Sequence, residues 1–305
     1  MSNTDQEINV KILKLTDTYI ELLFSNIPLP ILNAIRRIIQ LEVPTLAIDE
    51  VIFYENSSPL YDEVISHRLG LIPLRSEEAI RRYRPPEECA KCMETYYAEI
   101  PEEEAARPKT SECENCFTYI RGSVENPDTS SELKTFYSGE LLSDDPYVQP
   151  VYKEIPIVIL GPGQKISFDA KARLGRGIEH VKWSPVSVAG VRYVAKIHTE
   201  ILSEEKFSQA EECVNYCPVN ILFFSREERR IISKNDLECI LCNQCLKRCP
   251  EESIKIIPQE NRFILFFESV GQLSVKTILM EALNMLINKI DYLLKQIETE
   301  VSKSG

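Results

Sequence analysis

Cysteine carries most of the chemistry this 305-residue chain can do. The run Cys239-Ile-Leu-Cys242-Asn-Gln-Cys245-Leu-Lys-Arg-Cys249-Pro250 sets three thiols at steps of three, then one after a step of four. This is the bacterial iron–sulfur ligand pattern. Short steps let one tight loop supply three corners of a cubane, and the proline turns the last Cys away from that loop's own cluster. The fourth corner must come from elsewhere, and Cys213-Val-Asn-Tyr-Cys217-Pro218 supplies it.

A shift of 32 positions lays Cys213 on Cys245, Cys217 on Cys249 and Pro218 on Pro250. Arg230 then falls on Arg262 and Ile232 on Ile264, as expected of a duplicated ferredoxin-like module. The positions matching Cys239 and Cys242 in the first copy are Phe207 and Ala210, so only one site can be complete. The crossing rule assigns Cys217, Cys239, Cys242 and Cys245 to one [4Fe–4S] cluster, with a [3Fe–4S] form if a corner is lost. Cys213 and Cys249 remain at the ruined twin site, as a disulfide or as free thiols. A zinc knuckle fits six Cys with two Cys-Pro steps less well.

The other four thiols form Cys89-x2-Cys92 and Cys113-x2-Cys116, separated by a 20-residue spacer. Paired knuckles across a loop suit one tetrahedral zinc, with free thiols or a second cluster as the alternatives. Short metal-type spacings for all ten Cys point to a reducing, cytoplasmic interior.

A net charge of −12 and a pI of about 5.0 argue against gripping a phosphate backbone, so proteins are the expected partners and no direct nucleic-acid contact is. No signal peptide, membrane span, catalytic triad, Walker loop or Asp-rich nucleotidyl-transfer motif is evident. Gly175 and Gly177 do not form a G-x-G-x-x-G loop, and His180 has no second His beside it.

The elements that position these groups follow from periodicity. Ile8, Val10 and Ile12 alternate, Leu13 and Leu15 change parity, and Ile20, Leu22 and Phe24 alternate again: a hairpin with a slip. Pro28 and Pro30 open a helix through Ile31, Ala34, Ile35, Ile38 and Ile39 that ends before Pro44. A strand over 46–54 follows, then Ser57-Ser58-Pro59 as the start of a helix carrying Leu60, Val64, Ile65 and Leu69. Residues 75–145 read as a charged, proline-rich insert with little periodicity. Strand-like runs occupy 151–160 and 188–199. After Gly271, Val275, Ile278, Ala282, Leu286, Ile290, Leu293 and Ile297 mark a helix of about 30 residues, longer than one small domain needs.

Two continuous stretches carry a resemblance. Asn33-Ala-Ile-Arg-Arg-Ile-Ile-Gln-Leu-Glu-Val-Pro-Thr-Leu-Ala-Ile-Asp-Glu-Val51, with Asp62-Glu-Val-Ile-Ser-His-Arg-Leu-Gly-Leu-Ile-Pro-Leu74, resembles the D-type family of archaeal DNA-directed RNA polymerase subunits. That family is related to the bacterial α subunit's N-terminal region and to the third-largest subunit of eukaryotic polymerase II. Glu179-His-Val-Lys-Trp-Ser-Pro185 resembles the family's second signature, a region that faces the large subunits, where Lys171, Arg173, Arg176 and Lys182 would suit an acidic surface.

The resemblance implies an α+β fold in three parts. These are a discontinuous α-subunit-like dimerisation domain (residues 1–50 and 258–305), a β-rich middle domain (51–199, with the Cys-rich loop at 80–145) and a ferredoxin-like iron–sulfur module (200–257). It also implies a non-catalytic assembly subunit of the polymerase. Such a subunit pairs with a small L-type subunit through Ile35, Ile38, Ile39, Ile278, Leu286 and Leu293. It meets the large catalytic subunits and the small assembly subunits N and P. A ferredoxin-like electron-transfer protein is the competing class, but one complete cluster site and no flavin or nicotinamide fingerprint leave it without an electron entry and exit.

Overall fold

In the computed structural model, which describes residues 7–89, 92 and 113–304, the N-terminal alternation becomes a hairpin of β1 (Asn9–Leu15) and β2 (Tyr19–Ser25). Its register shifts between Ile12 and Lys14, where the apolar pattern changes parity. The bulge turns Leu13 onto a small apolar cluster with Leu23. β1 is the edge of a four-stranded sheet in the order β1-β2-β12-β9, with β9 at Val186–Thr199 and β12 at Ile254–Ser269.

A second sheet runs β3-β8-β4-β6, made of β3 (Thr45–Asn56), β4 (Phe117–Glu125), β6 (Leu142–Ser143) and β8 (Lys165–Gly175). β5 (Lys134–Tyr137) pairs with β7 (Pro156–Leu160), and β10 (Leu222–Ser225) with β11 (Arg230–Ser233). Of the six helices that matter here, α1 (Leu29–Leu41) begins at the two prolines as expected. The others are α2 (Asp62–Gly70), α3 (Ala79–Arg82), α4 (Phe207–Cys213), α5 (Gln244–Arg248) and α6 (Val275–Ser304). The 30 residues of α6 span about 45 Å.

The chain divides into two compact units. One holds the described residues up to Leu15, Ile20–Asn33 and Gly190–Phe266; the other holds Thr16–Tyr19, Ala34–Ala189 and the chain from Phe267 onward. Continuous strands run through the boundaries expected from sequence: β3 passes residue 50 and β12 passes residue 257. The core of the second unit gathers Leu46 and Ile48 of β3, Ile65 and Leu69 of α2, and Ile166, Phe168 and Ala170 of β8.

Three expectations change, the first being that the strand read over 151–160 is paired only from Pro156 to Leu160. Ser57-Ser58-Pro59 does not start a helix. Asn56 Oδ1 accepts from the Ser58 N–H and hydroxyl, closing a turn, and α2 begins at Asp62. The stretch read as an insert with little periodicity contains β4, which pairs along β8. Its inward positions are Thr118, Ile120, Gly122 and Val124, only two of them large and apolar, so the alternation was hidden. Gly122 is required because a Cβ there would lie 2.4 Å from the Phe168 ring.

Candidate functional site

The six Cys-Pro-type cysteines lie in the first unit, carried by two segments of like form: a short helix, a Cys-Pro step, a strand. α4 ends at Cys213, and a 3-10 turn (Val214–Tyr216) delivers Cys217. In the second segment a 3-10 turn (Asp236–Glu238) delivers Cys239, α5 carries Cys245, and Cys249 follows its last turn. Cys213 and Cys249 are joined in the structure as a disulfide with Cα atoms 4.9 Å apart.

The other four, Cys217, Cys239, Cys242 and Cys245, are free thiols that line one small cavity with Val219, Ile221 and Ile256. Three are buried and Cys242 is exposed. Leu241 and Asn243, on either side of Cys242, are both left-handed (φ 55° and 58°), which wraps the loop around the cavity. For Leu that conformation costs about 1–2 kcal/mol.

Burial pushes the Cys239 and Cys245 thiols up, neighbouring cavity cysteines add to the rise, and N–H donation from Leu241 and Leu246 opposes it. Left as free thiols, both stay protonated at neutral pH. As thiolates they need a cationic group in the cavity, with those N–H donors retained. Among the described residues, no three His, Cys, Asp or Glu side chains converge as a single-ion site requires. Four thiols around an apolar cavity, rather than around a point, fit a polynuclear iron–sulfur group.

Cys89, Cys92 and Cys116 are buried together, with Cys113 packed against them. Where the spacing suggests zinc, the structure joins them as Cys89–Cys116 and Cys92–Cys113 disulfides, with Cα separations of 5.6 and 5.7 Å. The four sulfurs are thus gathered in one place as two crossed pairs. The spacer between Cys92 and Cys113 lies outside the described residues.

The basic signature residues are already paired with acidic side chains of the chain itself. Lys171 and Arg173 sit on β8, which is central in its sheet, and both are buried. Lys171 pairs with Glu50 at 3.3 Å, and Arg173 pairs with Asp49 at 2.7 Å and Glu179 at 3.0 Å. Lys182 meets Asp49 at 2.6 Å, and Arg176 meets Glu87 at 2.8 Å. Arg173 and Lys182 also lie 4.2 and 4.3 Å from the Trp183 ring. Sequence reasoning missed Asp49 and Glu50 as partners because they lie more than a hundred residues from Lys171 and Arg173, and it left the nearby Glu179 unpaired. Gly175 and Gly177 serve packing: a Cβ would strike Trp183 or the Gln40 carbonyl. His180 is exposed and its Nδ1 accepts the Lys182 N–H at 3.1 Å.

Of the residues expected at a dimer interface, Ile35, Ile38, Ile39 and Ile278 are closed off within the chain itself. Leu286 is half-buried and Leu293 exposed. The residues open to a partner lie further along α6: Ile287, Ile290, Leu293, Leu294 and Ile297, each more than half exposed.

Comparison with known proteins settles the family. A family model described as the RNA polymerase Rpb3/RpoA insert domain matches residues 48–188. Subunit Rpo3 of DNA-directed RNA polymerase from Methanosphaera stadtmanae is 33% identical over 274 residues, covering 88% of this chain and 91% of that one. The chain belongs to the Rpo3 family. The Archaeoglobus fulgidus Rpo3 is 33% identical over 95% of this chain and 97% of its own length. The RNA polymerase II subunit rpb3 of Dictyostelium discoideum is 30% identical, covering 95% of each chain. Rpo3 chains are non-catalytic subunits of a nucleotidyltransferase, DNA-directed RNA polymerase, in keeping with a sequence that offers no catalytic constellation.

Proposed function

We propose that this Rpo3-family chain is a scaffold on which the polymerase assembles. It pairs through α6 with a small L-type subunit and docks the large catalytic subunits together with subunits N and P. The observation that carries this reading is the apolar stripe on α6, where Ile287, Ile290, Leu294 and Ile297 recur at three and four and stay exposed. Each such side chain, already about half covered, would gain roughly 1 kcal/mol on full burial, so a second helix laid along the stripe is favoured.

Cys217, Cys239, Cys242 and Cys245 would hold one [4Fe–4S] cluster in a ferredoxin-like module. When bound, the group cross-links the two Cys-Pro segments and can accept or release one electron. The chain's own contribution is to exclude water with Val219, Ile221 and Ile256 and to aim the Leu241 and Leu246 N–H groups at two sulfurs. In a reducing interior, Cys89, Cys92, Cys113 and Cys116 would hold one zinc.

Coexpression with an L-type partner should give a stable 1:1 complex, and Leu293→Asp should abolish it without unfolding the chain. An intact complex with both Leu286→Asp and Leu293→Asp rejects the interface. Copurification with a redox partner in place of polymerase subunits rejects the scaffold.

A further inference from the structure

The segment that delivers Cys239, the first thiol of the tight Cys loop, is bolted to the sheet of its own unit. Leu237, two residues ahead, packs on the cluster of Leu23 from β2, Val194 from β9 and Ile264 from β12, which Leu13 of β1 also joins. Every strand of the four-stranded sheet therefore contributes to its seat. Arg192 of β9 donates from Nη1 to the Leu237 carbonyl at 2.7 Å and to the Cys239 carbonyl at 3.4 Å. Asp236 Oδ2 accepts the Ile197 N–H of β9 at 3.1 Å. Asn235 closes the turn by accepting the Leu237 N–H at 3.1 Å and donating to Glu238 at 2.9 Å.

These contacts have a direction. The backbone on the ligand side of Cys239 is strained, with Leu241 and Asn243 left-handed, whereas the backbone ahead of it is held by a side-chain plug and hydrogen bonds to β9. A group binding Cys239, Cys242 and Cys245 stabilises the strained side. Without such a group the strain at Leu241 has nothing to offset it. We propose that Arg192 and Leu237 are positioning residues that fix Cys239 against the sheet, so that cluster occupancy sets the order of β9 and its neighbours. This rests on the cluster reading above. Binding linkage is reciprocal, so loosening the seat must weaken retention of the cluster by the factor that cluster loss loosens the seat.

The test uses the full chain, purified anaerobically with its iron, as the parent, Leu237→Ala and Arg192→Lys, with Arg226→Ala at its exposed pair with Glu211 as control. Two quantities are read: the rate of iron loss to a ferrous chelator, and amide hydrogen exchange of 194–197 before and after that loss. In the parent, iron removal should speed exchange of these amides about tenfold or more. Leu237→Ala and Arg192→Lys should release iron several-fold faster, with exchange that no longer responds to iron, while Arg226→Ala behaves as the parent. Unchanged exchange in the parent after complete iron loss overturns the coupling and leaves the cluster intact. So does parental iron release in both variants. A parent that never holds iron overturns the cluster reading and the coupling with it.

Discussion

Asp49 accepts the Arg173 Nε–H through Oδ2 at 2.7 Å, from the bulge that shifts the β3–β8 register between Ile48 and Glu50. The extra residue of a bulge is re-aimed out of the regular alternation, and here it places one carboxylate between Arg173 and Lys182. The second contact, to Lys182, is 2.6 Å. Burial pushes the Asp49 carboxyl up, but hydrogen bonds from Lys182 and Arg173 and their charges outweigh it, so the group titrates below its ordinary value of 3.8.

Removing the carboxylate takes the acidic partner from Lys182 and one of the two from Arg173, both largely out of water. Asp49→Ala should cost about 3–5 kcal/mol, measured as a fall in urea midpoint at unchanged slope. The folded-state pKa lies below the unfolded one, so the stabilisation is complete above about pH 4 and is lost as pH falls through the folded value. The parent should therefore lose stability on acidification below pH ~4, and Asp49→Asn should lack that share of the slope.

Tyr83 donates to Asp145 Oδ2 at 2.8 Å, and Arg82 reaches the same carboxylate at 3.2 Å. Burial, with the Asp145 carboxylate adding to it, pushes the Tyr83 phenol up to about 12. Its folded pKa exceeds the unfolded value of 10.0, so its stabilisation is present below pH 10 and lost between there and about 12. Tyr83→Phe should cost about 1.5–3 kcal/mol at neutral pH and flatten the alkaline limb of the stability profile. A phenol that ionises with its ordinary midpoint by ultraviolet absorbance contradicts the contact.

Anaerobic reconstitution separates the two Cys-Pro thiols. Cys217→Ser should lower iron content or leave a three-iron form, because it removes a thiol that lines the cavity. Cys249→Ser should keep iron near the parental level, because Cys249 is paired with Cys213 outside the four. The opposite pattern would mean that all four ligands are local.

Metal analysis of reduced protein distinguishes the states of the insert. About one zinc per chain should bind, and replacing Cys92 and Cys113 together by Ser should remove it without changing iron. Loss of iron with zinc unchanged would place a second cluster there.

What the sequence determined by itself is local chemistry and local geometry. The tight Cys loop marked Cys239, Cys242 and Cys245, and the 32-residue repeat with its Cys-Pro steps separated Cys217 from Cys213 and Cys249. The parity change at Leu13 located the β1 bulge, and prolines 28, 30 and 44 bracketed α1, since each acts within a few residues of itself. Tertiary structure decided whatever depends on distant partners. Lys171 and Arg173 read as a basic face until β3 brings Asp49 and Glu50 against them across more than a hundred residues. β4 stays hidden until Phe168 occupies the space above Gly122. Ile35, Ile38 and Ile39 looked like interface and lie inside the chain, while the exposed stripe runs further along α6. Periodicity shows that a face is apolar, and only the packed chain shows what already covers it.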